Sequence, residues 1–154
     1  MKPIERDIII KAPPPMVFAL AIDLERLPER VPAIKKIELL TDPPIGIGTK
    51  FRETRLMLGK EATEEMEFTA IEPDQSYVLE AKSMGNHYIS TISFMPVDGG
   101  TRMTWRFAAE PLGTGARIIG TLLTPFFVGP TRRAIDDYLQ AIKAAAEADG
   151  QETE

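Results

Sequence analysis

Glu53 and Arg55 are a pair whose types and spacing suit polar recognition of a ligand. They lie two residues apart in the strand-like run Lys50–Met57, so they share one strand face, with Cα atoms about 7 Å apart. If they point inward, they would contact a ligand or each other, because a buried charged side chain is retained only when it is paired with an opposite charge or takes part in function. If Arg52 and its alternate neighbours point inward instead, Glu53 and Arg55 are solvated. The sequence leaves both orientations open.

His87 is the single histidine of a chain that has no cysteine. It would be a general base if it lined a pocket, or a plain strand-end residue beside the turn at Gly85 and Asn86. A zinc site would need an unusual all-carboxylate ligand set, so neither a metal nor another cofactor is predicted. The carboxylates of residues 61–67 divide between two strand faces and are expected to be solvated. No catalytic residue is assigned.

Aromatic side chains are candidates for the apolar wall of a pocket. Trp105 alternates with Met103 and Phe107, which places all three on one strand face. Trp105 would there be either a surface on which a ligand stacks or a core residue. Tyr77 and Tyr88 each either present a hydroxyl to the pocket or are half-buried packing residues, and Tyr88 shares its strand face with Phe94.

The elements that must position these side chains follow in a clear order. A strand at 4–11 precedes two short helices at 14–22 and 25–31, the first of which begins with a proline run. Six strand-like runs follow at 36–40, 50–57, 61–71, 76–83, 87–95 and 101–109. A long helical segment then ends near Ala148. This order predicts an α+β fold, with a curved seven-stranded antiparallel sheet wrapped around the C-terminal helix.

The predicted sheet has one apolar face and a single long helix to cover it. A curved sheet that grips one helix tends to leave a hollow, so a ligand pocket is predicted between them. The length of 154 residues fits a single domain at 1–149, followed by a frayed tail at 150–154.

The C-terminal segment has two unlike parts. From residue 131 onward, the apolar residues form one helical stripe: Ile135, Tyr138, Leu139, Ile142 and Ala146. Upstream, residues 118–127 are apolar almost all round and are interrupted by Pro125, Gly129 and Pro130. The sequence predicts a helix that is kinked or broken there, with its first part acting as a looser lid over one cavity mouth.

Arginines bracket this apolar segment, with Arg117 before it and Arg132 and Arg133 after it. The arrangement suits a membrane interface, a partner-binding patch, or the solvated ends of an ordinary helix. The net charge of −5 and the pI near 5.0 favour the last, and they disfavour nucleic acid or an anionic membrane surface as main partner.

Residues 118–128 are too few to span a bilayer, so no integral membrane segment is predicted. The N-terminus lacks a signal-peptide core, and a cytoplasmic location is expected.

Several segments, taken with the order of elements, resemble one known superfamily. They are residues 10–18 (IKAPPPMVF), 23–32 (DLERLPERVP), 46–51 (GIGTKF), 72–73 (EP) and 99–105 (GGTRMTW). In these the chain resembles the SRPBCC, or START-like, helix-grip superfamily, in its polyketide cyclase/dehydrase-like branch. The resemblance covers nearly the whole chain and implies the helix-grip fold. It implies activity only weakly, because the superfamily mixes enzymes, carriers and partner-binding modules.

Three functions are therefore considered for the predicted cavity. The first is binding of a small hydrophobic molecule, such as a lipid, a quinone or an aromatic polyketide, in a carrier or sensor role. The second is a cyclase/dehydrase-type enzyme that uses acid/base residues in the same cavity, and the third is a partner-binding module. The predicted ligand-binding residues are Phe51, Glu53, Arg55, Phe68, Tyr88, Phe94, Met103, Trp105, Phe107, Leu122, Phe126 and Tyr138.

Overall fold

A computed structural model describes the backbone of residues 2–152 and the side chains of residues 2–120, 122 and 126–149. Among these residues, one sheet is built from seven strands: β1 (Ile4–Ile10), β2 (Ile34–Leu39), β3 (Lys50–Met57), β4 (Lys60–Glu72), β5 (Ser76–Ser83), β6 (Asn86–Val97) and β7 (Gly100–Pro111). Their order across the sheet is β1-β7-β6-β5-β4-β3-β2, and neighbouring strands are antiparallel. The predicted seven-stranded antiparallel sheet is confirmed.

Three helices complete the described part of the fold: α1 (Pro14–Ile22), α2 (Leu27–Arg30) and α3 (Thr114–Glu152). Prolines occupy the first helical positions of α1 and α2, where a missing amide proton costs no helical hydrogen bond. The predicted second helix at 25–31 is a 3-10 turn, Leu24–Arg26, followed by the single turn of α2. The helix-grip architecture is thus confirmed, with two short helical pieces after β1.

Two-residue turns hold β3 to β4 and β5 to β6. Leu58 and Gly59 form the first turn, with φ of 53° and 77°, and Met84 and Gly85 form the second, with φ of 52° and 77°. Two successive positive φ angles give a backbone twist that matches the right-handed twist of the flanking strands. The hairpin predicted around Gly85 is confirmed.

The sheet is concave because two of its strands bend at bulges. The pairing of β2 with β3 shifts register between Ile34 and Lys36, and that of β4 with β5 shifts between Phe68 and Ala70. A bulge bends its strand and increases the local twist. The concave face therefore has room for side chains from α1 and α3.

One half of the concave face is filled by a solid core. Its sheet residues are each 3% exposed or less: Phe51, Phe68, Tyr77, Ile92, Phe94 and Met103. Helix α1 closes this half, since the Phe18 ring meets Tyr77 and Phe94 nearly edge-on, with centroids 6.2 and 5.4 Å away. Burying each large apolar side chain contributes about 1.5–3 kcal/mol, so this half anchors the fold.

The second half of α3 docks on β1. Its predicted stripe from Ile135 to Ala146 is buried against the core. At the rim, Arg6 donates from Nε and Nη2 to the two carboxylate oxygens of Asp136, both at 2.8 Å. Further along, Lys143 Nζ donates to the Ile9 carbonyl at 2.9 Å. The docked half is therefore held by both apolar burial and polar contacts.

The sequence predicted a helix that is kinked or broken near Pro125–Pro130; α3 is continuous there, so the break is wrong and the kink stays a prediction. A proline removes one amide donor from a helix, and the remaining hydrogen bonds can keep the adjacent turns in register. The predicted frayed tail at 150–154 falls mostly outside the described residues: the backbone of 150–152 continues α3, and residues 153 and 154 are not described.

Candidate functional site

An open cleft of about 810 Å³ lies between α3 and the segment that joins α2 to β2. Its lining comes from three places: Glu29, Arg30, Val31, Pro32 and Ala33 on one side, Ala134, Asp137, Tyr138, Gln140, Ala141, Ala144 and Ala145 of α3 on the other, and Arg55 of β3. The small alanine side chains leave the helix and the sheet edge apart. Small-molecule sites in proteins have volumes of about 300–1,000 Å³, so the cleft is of suitable size.

Glu53 and Arg55 face the concave side of the sheet, which settles the orientation that the sequence left open. Glu53 is 8% exposed, and Arg55 Nε and Nη2 each lie 2.6 Å from its Oε1 atom. Arg52 occupies the opposite face, where it pairs with Glu38 at 3.2 Å and Glu65 at 2.7 Å. The buried ion pair therefore lies next to the cleft that Arg55 lines.

Glu64 is a second carboxylate on this concave face. In the β3–β4 register it lies directly opposite Glu53, so the two side chains are neighbours. Burial raises the pKa of Glu64, the charge of Glu53 raises it further, and Arg55 opposes both effects. Glu64 therefore holds a proton more readily than an exposed carboxyl group does, beside a Glu53 that is ion-paired with Arg55.

Tyr77 and Tyr138 bring two hydroxyls to the same region. Burial raises the pKa of Tyr77 well above its ordinary value and raises that of Tyr138 to about 12. The Tyr77 and Tyr138 hydroxyls are hydrogen-bond partners, and the negative charge of Glu53 raises the pKa of both. Both phenols therefore stay protonated at physiological pH.

Two aromatic pairs form the apolar part of the site. The ring of Trp105 meets Tyr138 edge-on at a centroid distance of 5.1 Å, while Tyr88 and Phe107 stack at 5.6 Å with planes 21° apart. The Trp105 Nε1 atom is buried and has no hydrogen-bond partner within the described part of the chain. Such an unsatisfied donor calls for an explanation, and a ligand oxygen atom is one.

The concave face is open beyond the solid core. Side chains that point inward there, by the alternation of the strands, are still partly exposed: Arg55, Glu64, Met66, Leu79, Tyr88, Ser90, Trp105 and Phe107. Helix α3 does not bury them. The polar cluster and the aromatic pairs thus lie on the same concave face, and Arg55 and Tyr138 also line the cleft.

The twelve predicted ligand-binding residues divide into three groups. Six lie on the open concave face or the cleft: Glu53, Arg55, Tyr88, Trp105, Phe107 and Tyr138. Four lie in the solid core behind it: Phe51, Phe68, Phe94 and Met103. The other two, Leu122 and Phe126, do not line the cavity, because they are 68% and 72% exposed on the far side of α3. Both were predicted to bind the ligand from a part of the helix that covers one cavity mouth, and the sheet leaves them uncovered.

His87 lies on the outer face of the sheet and takes no part in this site. Its Nε2 atom is 2.7 Å from Oε1 of Glu80, on the strand face opposite Tyr88. Among the described residues, no group of three or more histidine and acidic side chains is arranged to hold a metal ion. Within the same residues, no helix is both long enough and apolar enough to cross a membrane.

Sequence reasoning missed Glu64 and the wall from Val31 to Ala33. Glu64 was expected to be solvated with its acidic neighbours, since its position opposite Glu53 depends on the pairing of β3 with β4. The wall residues carry no chemical signal, because they are apolar residues of a loop. The segment 23–32 was noted as a family signature, and its position at the cleft gives that signature a physical role.

The raised pKa of Glu64 predicts a pH-dependent gain in stability for Glu64→Gln. Ionised Glu64 is disfavoured in the folded state, so the variant is expected to melt about 2 °C higher at pH 7–8. A Tm change of this size is expected when one of two like charges that face each other on adjacent strands is removed. The gain should vanish near pH 3, below the ordinary glutamate pKa, where Glu64 is protonated in both states. Thermal melts across this range are the measurement. Glu65→Gln, on the outer face beside Arg52, should show no gain, and an equal gain for Glu64→Gln at pH 3 would contradict the assignment.

Comparison with known proteins places this geometry among related folds. The sequence model of the family described as polyketide cyclase / dehydrase and lipid transport matches residues 1–147. No curated protein has a significantly similar sequence.

Solved structures show the same fold at low sequence identity. A Thermus thermophilus protein is 22% identical, with a TM-score of 0.76 over 96% of this chain and 99% of its own. The Zhui aromatase/cyclase of a Streptomyces species is 17% identical, with a TM-score of 0.76 over 95% and 93%. Major latex-like protein 151 of Panax ginseng is 14% identical, with a TM-score of 0.75 over 94% and 97%. These likenesses show the fold alone.

Proposed function

Since the chain belongs to the polyketide cyclase / dehydrase and lipid transport family, we propose that it binds a small, mostly apolar molecule with a polar end. The observation that carries this proposal is the buried Glu53–Arg55 ion pair on a partly open concave face, beside the cleft that Arg55 and Tyr138 line. A buried ion pair is often no more stable than apolar residues of similar volume. Its presence on a concave face is therefore better explained by recognition than by stability.

The apolar part of the ligand would contact the aromatic pairs. The exposed parts of Trp105 and Tyr88, with Phe107 behind, offer ring faces and edges on one side of the concavity. Aromatic surface of this kind suits fused rings or acyl chains, since each Å² of apolar area removed from water contributes about 25 cal/mol. A lipid, a quinone or an aromatic polyketide meets this requirement.

The polar end of the ligand would meet hydrogen-bond donors. Arg55 keeps N–H groups beyond those it gives to Glu53, and the Trp105 indole N–H has no acceptor among the described residues. A carbonyl, hydroxyl or carboxylate oxygen complements these donors. The proposed role is that of a carrier or sensor of such a molecule.

Binding is expected to change two independent signals together. Trp105 is the sole tryptophan, so its fluorescence reports this site. At a hundredfold excess over Kd, a ligand stabilises the folded state by about 2.7 kcal/mol, which raises Tm by about 5 °C in a domain of this size. Fatty acids, quinones and polycyclic aromatic compounds are to be screened by both signals. Trp105→Phe should lose the fluorescence response and keep a smaller thermal shift, because it retains an aromatic ring and loses the indole N–H.

A matched pair of variants separates site binding from nonspecific effects. Ser90 points into the concavity opposite Phe107, and Thr91, the next residue, points to the outer face. Ser90→Leu should fill the site and reduce the thermal shift, while Thr91→Leu should leave it unchanged. Equal shifts in both variants, or no response across the panel, would defeat the proposal.

An enzyme of the cyclase/dehydrase type is the second candidate, favoured by the two facing carboxyl groups. Glu64 has a raised pKa and suits a general acid, while Glu53, which contacts Arg55 at 2.6 Å, suits a base or an orienting group. The Zhui relative is an aromatase/cyclase. The same screen separates the two functions, because a carrier returns its ligand unchanged, whereas an aldol condensation with dehydration releases a product lighter by one water molecule.

A further inference from the structure

Three chain connections at one end of the sheet expose large apolar side chains. Because the strands form an antiparallel meander, the β3–β4, β5–β6 and β7–α3 connections all lie at the same end. Leu58, Met84 and Leu112 occupy them and are 74%, 87% and 56% exposed. At the other end, the β4–β5 turn carries Asp74 and the β6–β7 turn carries Asp98. The two ends of the sheet are therefore chemically unlike.

Leu58 and Met84 lie in positions that are unfavourable for their residue types. Their φ angles of 53° and 52° fall in the left-handed region, where bulky residues are rare and Gly, Asn or Asp are usual. Asp74, with φ of 63°, is an ordinary occupant of such a position. Apolar side chains that are both exposed and backbone-strained give no stability to the isolated protein, so their presence points to a contact outside it.

The first half of α3 extends this apolar surface. Its exposed residues are Ile118, Ile119, Leu122 and Phe126, each 58–72% exposed. At 3.6 residues per turn, Leu122 lies about 160° around the helix from the buried Tyr138. The start of α3 joins the β5–β6 turn, since the Leu112 amide donates to the Gly85 carbonyl at 2.8 Å. We call this surface the apolar end: Leu58, Met84, Leu112, Ile118, Ile119, Leu122 and Phe126.

The charge of the chain is segregated around the apolar end. Residues 111–135 contain Arg117, Arg132 and Arg133 and no acidic residue, whereas the whole chain has a net charge of −5. Glu61 and Glu110 are the carboxylates at the border of this surface. Exposed apolar side chains flanked by arginine are typical of segments that lie in the headgroup region of anionic membranes. The chain is negatively charged overall, but this part of its surface is apolar and locally positive.

We propose that the apolar end docks the protein on the surface of an anionic lipid membrane. Separate protruding tips suit insertion between headgroups, and arginines suit the lipid phosphates. A second copy of the chain is the alternative occupant, and the exposed arginines beside the apolar residues favour the lipid phosphates. This proposal is independent of the ligand proposed for the cleft.

The test is sedimentation of the full chain with extruded vesicles. Binding is expected to phosphatidylcholine vesicles that contain about 30% phosphatidylglycerol, and to be at least about tenfold weaker for phosphatidylcholine alone. Leu58→Asn/Met84→Asn should reduce binding by about tenfold or more, since two apolar tips are lost. Asparagine suits the left-handed turn positions, so this variant should melt no lower than the parent protein. Loss of binding would then not reflect unfolding.

A matched control and a charge variant complete the test. Met95 is 59% exposed near the opposite end of the sheet, and Met95→Asn should leave binding unchanged. Arg132→Gln/Arg133→Gln should weaken binding to the anionic vesicles by about tenfold. No binding to either vesicle, or equal binding by Leu58→Asn/Met84→Asn, would overturn the proposal. A dimer in analytical ultracentrifugation that this double variant abolishes would overturn it in favour of a second copy.

Discussion

Arg55→Met is expected to lower Tm by about 10 °C at neutral pH. Glu53 is buried and has its charge partner in Arg55 at 2.6 Å, so the substitution leaves an uncompensated carboxylate opposite Glu64. Breaking a buried pair on one side costs about 3–5 kcal/mol, and each kcal/mol shifts Tm by about 2–4 °C in a chain of this length. Thermal and urea unfolding at pH 7 measure the effect.

Two comparisons separate this buried pair from an ordinary surface contact. Glu53→Gln/Arg55→Met removes both charges and should recover most of the lost stability. Arg52→Met, one residue away on the outer face, should lower Tm by about 2 °C at most, because exposed pairs contribute less than about 1 kcal/mol. Equal losses for Arg52→Met and Arg55→Met would show that Glu53 does not depend on its partner.

Arg55→Met should also weaken ligand binding. Without Arg55 the cleft loses the guanidinium proposed to contact the polar end of the ligand, so binding should weaken even at temperatures where the variant is folded. Arg55→Lys keeps the charge and loses the planar set of donors, and is expected to be intermediate in both stability and binding. Unchanged binding by folded Arg55→Met would remove Arg55 from the site.

Gly100→Ala is expected to be at least as damaging to the fold. A Cβ atom at this position would lie 2.0 Å from the Ile10 carbonyl oxygen and 3.2 Å from the Lys11 Cα. Both obstacles are backbone, and Thr101 holds the same region by donating from Oγ1 to the Ala12 carbonyl at 2.7 Å. Relief therefore requires β1 to separate from β7. We expect a loss above about 3 kcal/mol, or about 10 °C in Tm.

The matched control is Gly46→Ala. A Cβ atom there meets nothing within 4 Å, so the same chemical change should alter Tm by no more than about 2 °C. Gly100→Ala should also loosen the docked half of α3, because Glu147 accepts from the Lys11 amide at 2.9 Å. Amide exchange along Ile135–Ile142 would show this as faster exchange. Wild-type stability for Gly100→Ala would mean that β1 and β7 are further apart than described.

Short-range residue patterns explain why most of the fold could be predicted from the sequence. The glycine-containing turns, the proline-led α1 and the alternation of Met103, Trp105 and Phe107 are short-range patterns, and each corresponds to an element in the structure. A meander needs no long-range information beyond the order of its hairpins. The sheet, the gripping helix and the inward position of Trp105 could therefore be predicted from residues close together in the chain.

The orientation of β3 could not be read from its own residues. Phe51, Glu53 and Arg55 form one face and Arg52 and Thr54 the other, and both faces mix charged with other residues. The tertiary structure decides between them because Phe51 is 1% exposed and packs on Phe68, with ring centroids 5.7 Å apart, while Arg52 pairs with carboxylates on the outer face. Burial of Phe51 contributes more than the exposed ion pairs do, and it turns Glu53 and the polar part of the candidate site inward.

The two halves of α3 show the same division between sequence and tertiary structure. Periodicity determined by itself that the stripe from Ile135 to Ala146 is buried, and that residues 118–127 are helical and apolar. Whether an apolar helix face is covered depends on how far the sheet extends beneath it, and the sheet is formed by strands distant in the chain. Only the tertiary structure shows that Leu122 and Phe126 face solvent and that a cleft opens beside Tyr138. A residue pattern shows which side chains are apolar, and the packing of elements distant in the chain decides which of them are buried.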